Sequence, residues 1–395
     1  MRKICMVTYS NYERDPRVRR NSEALVGANF EVDVIALKDA GQSFVETVSG
    51  VRVYHVPFSK IRGGKISYII AYSVFFLLSF FYVSFLHIRK KYDLLLIHNM
   101  PDFLVFSAIL PKITRTPILL DIRDPMPELF GSIFRGRASI FFQSLLLLEE
   151  RVSFNFSDKL LTVHKEMYGL LTHRGVDPHR LEIVRNLPDT TIFHKGIQTS
   201  GKHECFKLVY AGTISPRHHL DLVLEAILYL QSELPDIRFI LVGDGPDIPR
   251  LKELAINFQI EDKVSFRGAI PVNEVPEILA SCDVAVASYA DDENGNLVFP
   301  TKVFEALEIG LPVLCTRVKT VQDYLGDDAL FYFSPEDLES LIDQVRLIRQ
   351  NPDLVKKKIL NGQKFLLDNN WENEKNKLIQ IIVSMSDGTL KSRMT

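Results

Sequence analysis

Short apolar runs alternate with helical stretches in two separate series along the chain, and this alternation restricts the fold to parallel sheets wrapped by crossover helices. In the first series, strands are expected at residues 4–7, 31–36, 51–56, 94–98, 118–121 and 159–163, with helices near 17–27, 66–88, 102–113 and 137–156. In the second, strands are expected at 207–211, 238–242, 264–267, 284–287, 313–315 and 329–331, with helices near 220–232, 247–257, 274–281, 300–309, 320–325 and 335–349. Residues 183–189 close the first series, and the polar run 195–204 reads as a linker. A last helix is expected from Trp371 through Val383, with a frayed tail from Ser386. The expected organisation is therefore an α/β domain over 1–194, a second over 195–370, and a C-terminal helix and tail over 371–395.

Composition narrows the class of protein. A chain of 395 residues with 46% hydrophobic and 24% charged residues can bury two sizeable cores. The net charge of −2 is unevenly divided: residues 1–190 carry 25 Lys+Arg against 19 Asp+Glu, and the remainder carries 22 against 30. A basic first half favours anionic groups such as phospholipid heads, but the excess is too small to point to nucleic acid. Cys5, Cys205, Cys282 and Cys315 lie far apart without metal-ligand spacing and read as reduced residues of a cytoplasmic protein. The first seven residues are too short an apolar run for a signal-peptide core and read as a first strand.

Residues 66–88 are long and apolar enough to span a bilayer, and only His87 among them titrates near neutral pH. Lys60, Arg62 and Lys65 precede the segment, and Arg89, Lys90 and Lys91 follow it. If 51–56 and 94–98 are parallel neighbours in one sheet, the segment must return along that sheet and cannot cross a membrane. It then reads as a crossover helix whose second apolar face lies in the bilayer surface, because one small domain cannot bury it from every side.

Three segments of the second half carry chemistry. In Pro300-Thr301-Lys302-Val303-Phe304-Glu305, Pro300 suits the first turn of a helix, and Gly310-Leu311-Pro312 ends it. Lys302 and Glu305 then share a face one turn apart, beside the partial positive charge of the helix start, where a phosphate is stabilised. Gly212-Thr213-Ile214-Ser215-Pro216-Arg217 follows one strand and Gly243-Asp244-Gly245-Pro246 the next, positions where α/β folds place ligand-binding loops. Each alone is also ordinary turn or helix-surface chemistry.

Together these segments resemble the nucleotide-sugar domain of retaining glycosyltransferases of family four (group 1), of the bacterial surface-polysaccharide type. The resemblance covers nearly the whole chain. It implies a GT-B fold, with two Rossmann-like domains facing across a cleft and a C-terminal helix returning to the first domain. It also implies metal-independent transfer of a sugar from a nucleoside-diphosphate sugar. Carried across, Arg217 and Lys302 would hold the donor diphosphate and Glu305 the ribose. Gly212, Thr213, Gly243, Gly245, Phe266, Arg267, Asn296 and Pro300 would complete the donor site. Many members have another glutamate earlier in the chain, with seven residues between it and the one at this position, where this chain has Leu297. Backbone around residues 294–297 would then meet the donor sugar.

The first half resembles the same subgroup. Asp15-Pro16-Arg17-Val18-Arg19-Arg20 stands where the family has a double-glycine loop, and its local reading is a helix start with Asp15 as N-cap and Pro16 at N1. Three arginines remain to be explained, and an acceptor diphosphate would suit them. Arg17, His98, Arg123, Asp124 and Glu128 are the acceptor-side candidates. A lipid-linked acceptor, such as a polyprenyl-diphosphate sugar, agrees with the apolar segment and with a peripheral place on the inner face of the cell membrane. Three other readings stand beside this one. They are a metal-dependent transferase of the other major fold using Asp291-Asp292-Glu293, a GT-B epimerase or hydrolase, and a membrane-attached scaffold with a degenerate site.

Overall fold

The computed structural model describes residues 1–58, 65–133, 140–194, 196, 205–292 and 295–394. It divides into two units, Met1–Asn186 with Glu372–Thr395, and Leu187–Trp371.

Among the described residues, the first unit has eight strands: β1 (Lys3–Val7), β2 (Glu31–Leu37), β3 (Val45–Val48), β4 (Val51–Val56), β5 (Leu94–His98), β6 (Ile118–Asp121), β7 (Lys159–Thr162) and β8 (Leu181–Ile183). Their order is β3-β4-β2-β1-β5-β6-β7-β8, parallel except for β3, which pairs antiparallel with β4. The central strands β1, β5 and β6 are apolar and buried nearly throughout, the pattern of a sheet covered on both faces. Asp15 caps the helix Pro16–Gly27 by accepting from the Val18 N–H (3.1 Å), with Pro16 in its first turn. The helix Lys65–Lys90 runs between β4 and β5, two parallel strands of the sheet, and so is a crossover. Ala71, Tyr72, Phe75, Ser79, Val83 and Leu86 form its buried stripe at helical spacing. Its other side exposes Ile69, Ile70, Leu77, Phe81, Phe85 and Ile88. By length and composition alone, residues 69–90 would suffice to cross a membrane. Lys60 and Arg62 lie outside the described residues.

The final helix, Trp371–Met394, packs on this first unit. Glu374 accepts from the Arg185 backbone N–H (3.0 Å) and from its Nε (2.6 Å), and Arg2 pairs with Asp387. The helix runs past Ser386, the expected start of a frayed tail, and Leu378, Ile381, Ile382 and Ser386 are buried along one side of it.

Among the described residues, the second unit holds six parallel strands: β9 (Lys207–Ala211), β10 (Arg238–Val242), β11 (Val264–Gly268), β12 (Val284–Ala287), β13 (Val313–Thr316) and β14 (Phe331–Phe333). Their order is β11-β10-β9-β12-β13-β14. The order reverses at β9, so β9 and β12 diverge at a switch point, where open α/β sheets place their ligands. Leu187 and Phe193 lie in the core of this unit. The linker expected at 195–204 lies outside the described residues apart from Gly196.

Candidate active site

The loops that leave β9, β10 and β11 hold one another through their backbones. The Gly212 N–H donates to Val242 O (2.9 Å), Ile214 N–H to Asp244 O (3.0 Å) and Gly243 N–H to Gly268 O (2.8 Å). A Cβ on Gly243 would stand 1.9 Å from Gly212 O, and one on Gly245 1.9 Å from Ile214 O. These two glycines therefore answer to loop-on-loop contact, which leaves Gly212 and Thr213 exposed at the sheet edge.

The helix Thr301–Ile309 stands over this edge. Pro300 is its N-cap residue, one position earlier than the first helical turn the sequence suggests, and Gly310 ends it at φ 94°. Val303, Phe304, Ala306 and Leu307 are buried, while Lys302 and Glu305 are half-buried. Lys302 Nζ donates to Tyr210 Oη (2.8 Å) and lies 4.0 Å from the centroid of the same ring. The ring of Tyr289 is 5.4 Å from Nζ. The guanidinium of Arg217, in the short 3-10 turn Pro216–His218, makes no hydrogen bond or ion pair among the described residues. Burial and the nearby Arg217 together lower the Lys302 ammonium to about 7, against the pull of Glu305. His218 sits between Tyr210 and Tyr289, its Nδ1–H donating to Ser288 O (3.2 Å). Burial, Lys302 and Arg217 push it down to about 2, so it is neutral. Two cations and a neutral histidine beside one glutamate make this edge electron-poor, the condition for holding an anion.

The remaining donor-side candidates are placed less directly. Phe266 is half-buried with Lys252 Nζ 5.5 Å from its ring, and Arg267 is exposed. Asn296 Oδ1 accepts from the Lys319 N–H (3.0 Å) and its Nδ2 donates to Asp291 Oδ1 (3.1 Å), so this side chain ties its loop to the start of the helix Lys319–Leu325. Asn294 and Glu293 lie outside the described residues. Asp292 Oδ1 accepts from the Gly295 N–H (2.7 Å). Among the described residues no three His, Cys, Asp or Glu side chains gather as metal ligands.

In the first unit, the C-terminal ends of β5 and β6 carry a buried charge network. Asp121 Oδ1 accepts from Arg17 Nη2 (2.5 Å), and Oδ2 from His98 Nδ1–H (2.7 Å). Arg123 Nη1 donates to Asp15 Oδ2 (2.7 Å). Burial opposes both carboxylates, yet Arg123 holds Asp15 down at about 2, and Arg17 with His98 holds Asp121 well below the usual range. Burial and Arg123 keep His98 neutral, and its Nε2 is buried with no partner among the described residues. Asp124 is half-buried, and its backbone carbonyl accepts from Asn99 Nδ2 (2.7 Å).

The three arginines thus have partners within this unit, of which only the i,i+4 pair is legible in spacing. Arg17 takes Asp121, Arg19 takes Glu23 (2.8 Å), and Arg20 donates to Asn186 Oδ1 (2.6 Å). Glu128 pairs with Arg174, which also holds Glu150 (2.8 Å). Of the acceptor-side candidates, the structure groups Arg17, His98 and Arg123 around Asp121 and puts Glu128 in this separate cluster. Asp121 and Tyr210 are the organising residues that sequence reasoning passed over. Each lies at or next to the end of a strand, and that position is the one signal that marks them.

Two parallel Rossmann-like sheets joined in one chain, with charged strand-end loops in each, define the GT-B class. Residues 196–365 match the family described as glycosyl transferases group 1, and residues 15–186 match a glycosyl transferase 4-like domain. The chain belongs to this family, whose members are nucleotide-sugar-dependent glycosyltransferases that act with retention. It is 23% identical over 325 residues to the phosphatidylinositol N-acetylglucosaminyltransferase gpi3 subunit of Schizosaccharomyces pombe, covering 80% of this chain and 65% of that protein. It is 23% identical over 196 residues to the putative colanic acid biosynthesis glycosyltransferase WcaL of Salmonella typhimurium, covering 47% and 48%. The chain thus spans less than two thirds of the length of both relatives in these alignments. Anabaena HepE in complex with UDP-glucose superposes with a TM-score of 0.72 at 17% identity, over 97% of this chain and 99% of that one.

Proposed function

We propose that Arg217 and Lys302 clamp the diphosphate of the donor, that Glu305 holds its ribose, and that the sugar passes to a lipid-linked acceptor at a membrane surface. The single observation that carries the donor half is the pair of cations at the exposed glycine edge, one with no anionic partner among the described residues. In a retaining transfer the leaving diphosphate takes the acceptor proton, so the protein's task is to neutralise charge as it develops on that group. Preorganised cations do this without reorganisation at the moment of reaction. The site needs no metal on this reading, because Arg217 and Lys302 supply the charge that a divalent ion supplies elsewhere. His98, Arg123 and Asp124 serve the acceptor side.

A thermal-shift panel of UDP, GDP, ADP and dTDP in excess chelator tests the donor half. One of them should raise the melting temperature, more than the matching nucleoside monophosphate does. No shift with any diphosphate until a divalent cation is added would overturn the metal-free clamp. UDP is the first to try, since HepE was solved in complex with UDP-glucose.

The lipid-linked acceptor and the peripheral place on the inner membrane face rest on the helix Lys65–Lys90. Phe81 and Phe85 are 64% and 53% exposed, a costly arrangement for aromatic side chains in water. Arg89 lies 4.1 Å over the Phe85 ring, and Lys91 follows, so apolar and cationic groups meet as they do at a phospholipid interface. The name of the Schizosaccharomyces relative also contains a phospholipid. Phe81→Glu with Phe85→Glu should release the chain from vesicles containing anionic phospholipid, lowering binding at least about tenfold, since each buried aromatic contributes about 1.5–3 kcal/mol. Co-sedimentation equal to that of the native chain would overturn the membrane reading.

A further inference from the structure

We propose that Tyr210 is the positioning residue of the donor clamp, its hydroxyl setting Lys302 and the Gly212–Thr213 loop at one fixed separation. The proposal rests on the reading of Lys302 as a diphosphate ligand.

The directions of the hydrogen bonds are forced. Tyr210 lies near the end of β9 with no solvent exposure, and its Oη lies 2.8 Å from Thr213 O and 2.8 Å from Lys302 Nζ. A carbonyl only accepts, so the phenolic hydrogen is committed to Thr213. The oxygen lone pair is then left for the lysine, which only donates when it is charged. One oxygen therefore ties the loop after β9 to a helix that begins more than eighty residues later in the chain. The aromatic face lies 4.0 Å from Nζ, which gives the ammonium a second attraction that needs no hydroxyl. A Cβ built on Gly212 would stand 3.3 Å from Nζ, so the ammonium also sits against the loop backbone.

The charged and titratable groups around Lys302 are Arg217, Glu305, His218, Cys315, Tyr210 and Tyr289. Arg217 repels the ammonium, His218 is neutral, and burial pushes the Cys315 thiol and both phenols up, so they too are neutral. Glu305 is the only anion in this set. Tyr210 Oη is the neutral acceptor that receives the Nζ hydrogen bond and so directs the ammonium.

Tyr210→Phe separates the two contributions, since it keeps the ring and the packing and removes only the oxygen. The probe is the nucleoside diphosphate that stabilises the native chain most in the panel above, titrated from pH 7 to 9 in chelator. The expected result is a folded variant whose affinity at pH 7.5 falls about tenfold, the effect of one charged hydrogen bond. The pH at which affinity begins to decline should also move down, because the ammonium has lost the acceptor that favoured it. KM for the donor should rise more than kcat falls. Native affinity in Tyr210→Phe would overturn the proposal, and so would a loss of affinity with an unmoved pH profile, which marks a purely structural tyrosine. Lys302→Ala, measured alongside, tests the underlying reading: native affinity there means that the clamp itself is misassigned, whatever Tyr210→Phe does.

Discussion

Lys302→Ala should lower the transfer rate by about 10²–10³ and leave the protein folded, the size of effect that follows removal of one preorganised donor from a site of developing charge. Two features make the expectation specific to this residue. Its ammonium is held half-buried against two aromatic rings and close to a second cation, where its charge is disfavoured before any anion arrives. Such an arrangement costs folding energy and is of use only when a multiply charged ligand offsets it. The variant should therefore unfold at the same temperature as the native chain or a higher one. Initial rates with saturating acceptor, together with thermal unfolding, measure both halves. Native turnover would remove Lys302 from the mechanism, and loss of folding would make it a structural residue.

The second large effect is on pH. With burial and Arg217 lowering Lys302 to about 7, the free site is charged below that pH and increasingly neutral above it. A bound diphosphate favours the ammonium and raises it again. Below pH 7 the lysine is charged in both states, so affinity is highest between the second ionisation of the terminal phosphate, about pH 6, and this pH. Above pH 7 binding must draw a proton from solution, so affinity falls by up to about tenfold per pH unit until the pH reaches the raised value of the complex. Calorimetric titration in buffers of different ionisation heat should show uptake of up to one proton near pH 8. Lys302→Arg, which stays charged throughout, should flatten the profile. Constant affinity of the native chain from pH 7 to 9 would contradict the assignment.

Much of this architecture is legible in the sequence because parallel, doubly covered strands are nearly continuous apolar runs, and β1, β5, β6, β9, β10 and β12 lie where those runs stand. Pro300 and Gly310 bracket their helix for reasons local to the chain, and Asp15 and Pro16 do the same for the first helix. The strands that escape a sequence reading lie at the edges. β3 has its residues exposed or half-buried, β8 is three residues long, and neither carries a pattern of its own. The helix Pro352–Asp368 also has no counterpart in the sequence analysis, although Pro352 stands in its first turn. Within the site, local spacing places Lys302 and Glu305 on one face. What it cannot supply are pairings across the sheet: Arg17 with Asp121 is separated by 104 residues, and Lys302 with Tyr210 by 92. Buried polar partners of this kind follow from strand order, which no single segment encodes.

The claim that joins these observations is that Arg217 and Lys302 bind the donor through its terminal phosphate. The difference in affinity between a nucleoside diphosphate and the matching monophosphate, measured in chelator for the native chain and for the double variant Arg217→Ala with Lys302→Ala, tests it most directly. The native chain should prefer the diphosphate by at least about tenfold, as expected for charge-assisted hydrogen bonds of about 1.5–3 kcal/mol each, and the double variant should lose that preference while it still binds the monophosphate. An equal preference in both proteins would place the diphosphate elsewhere and contradict the account.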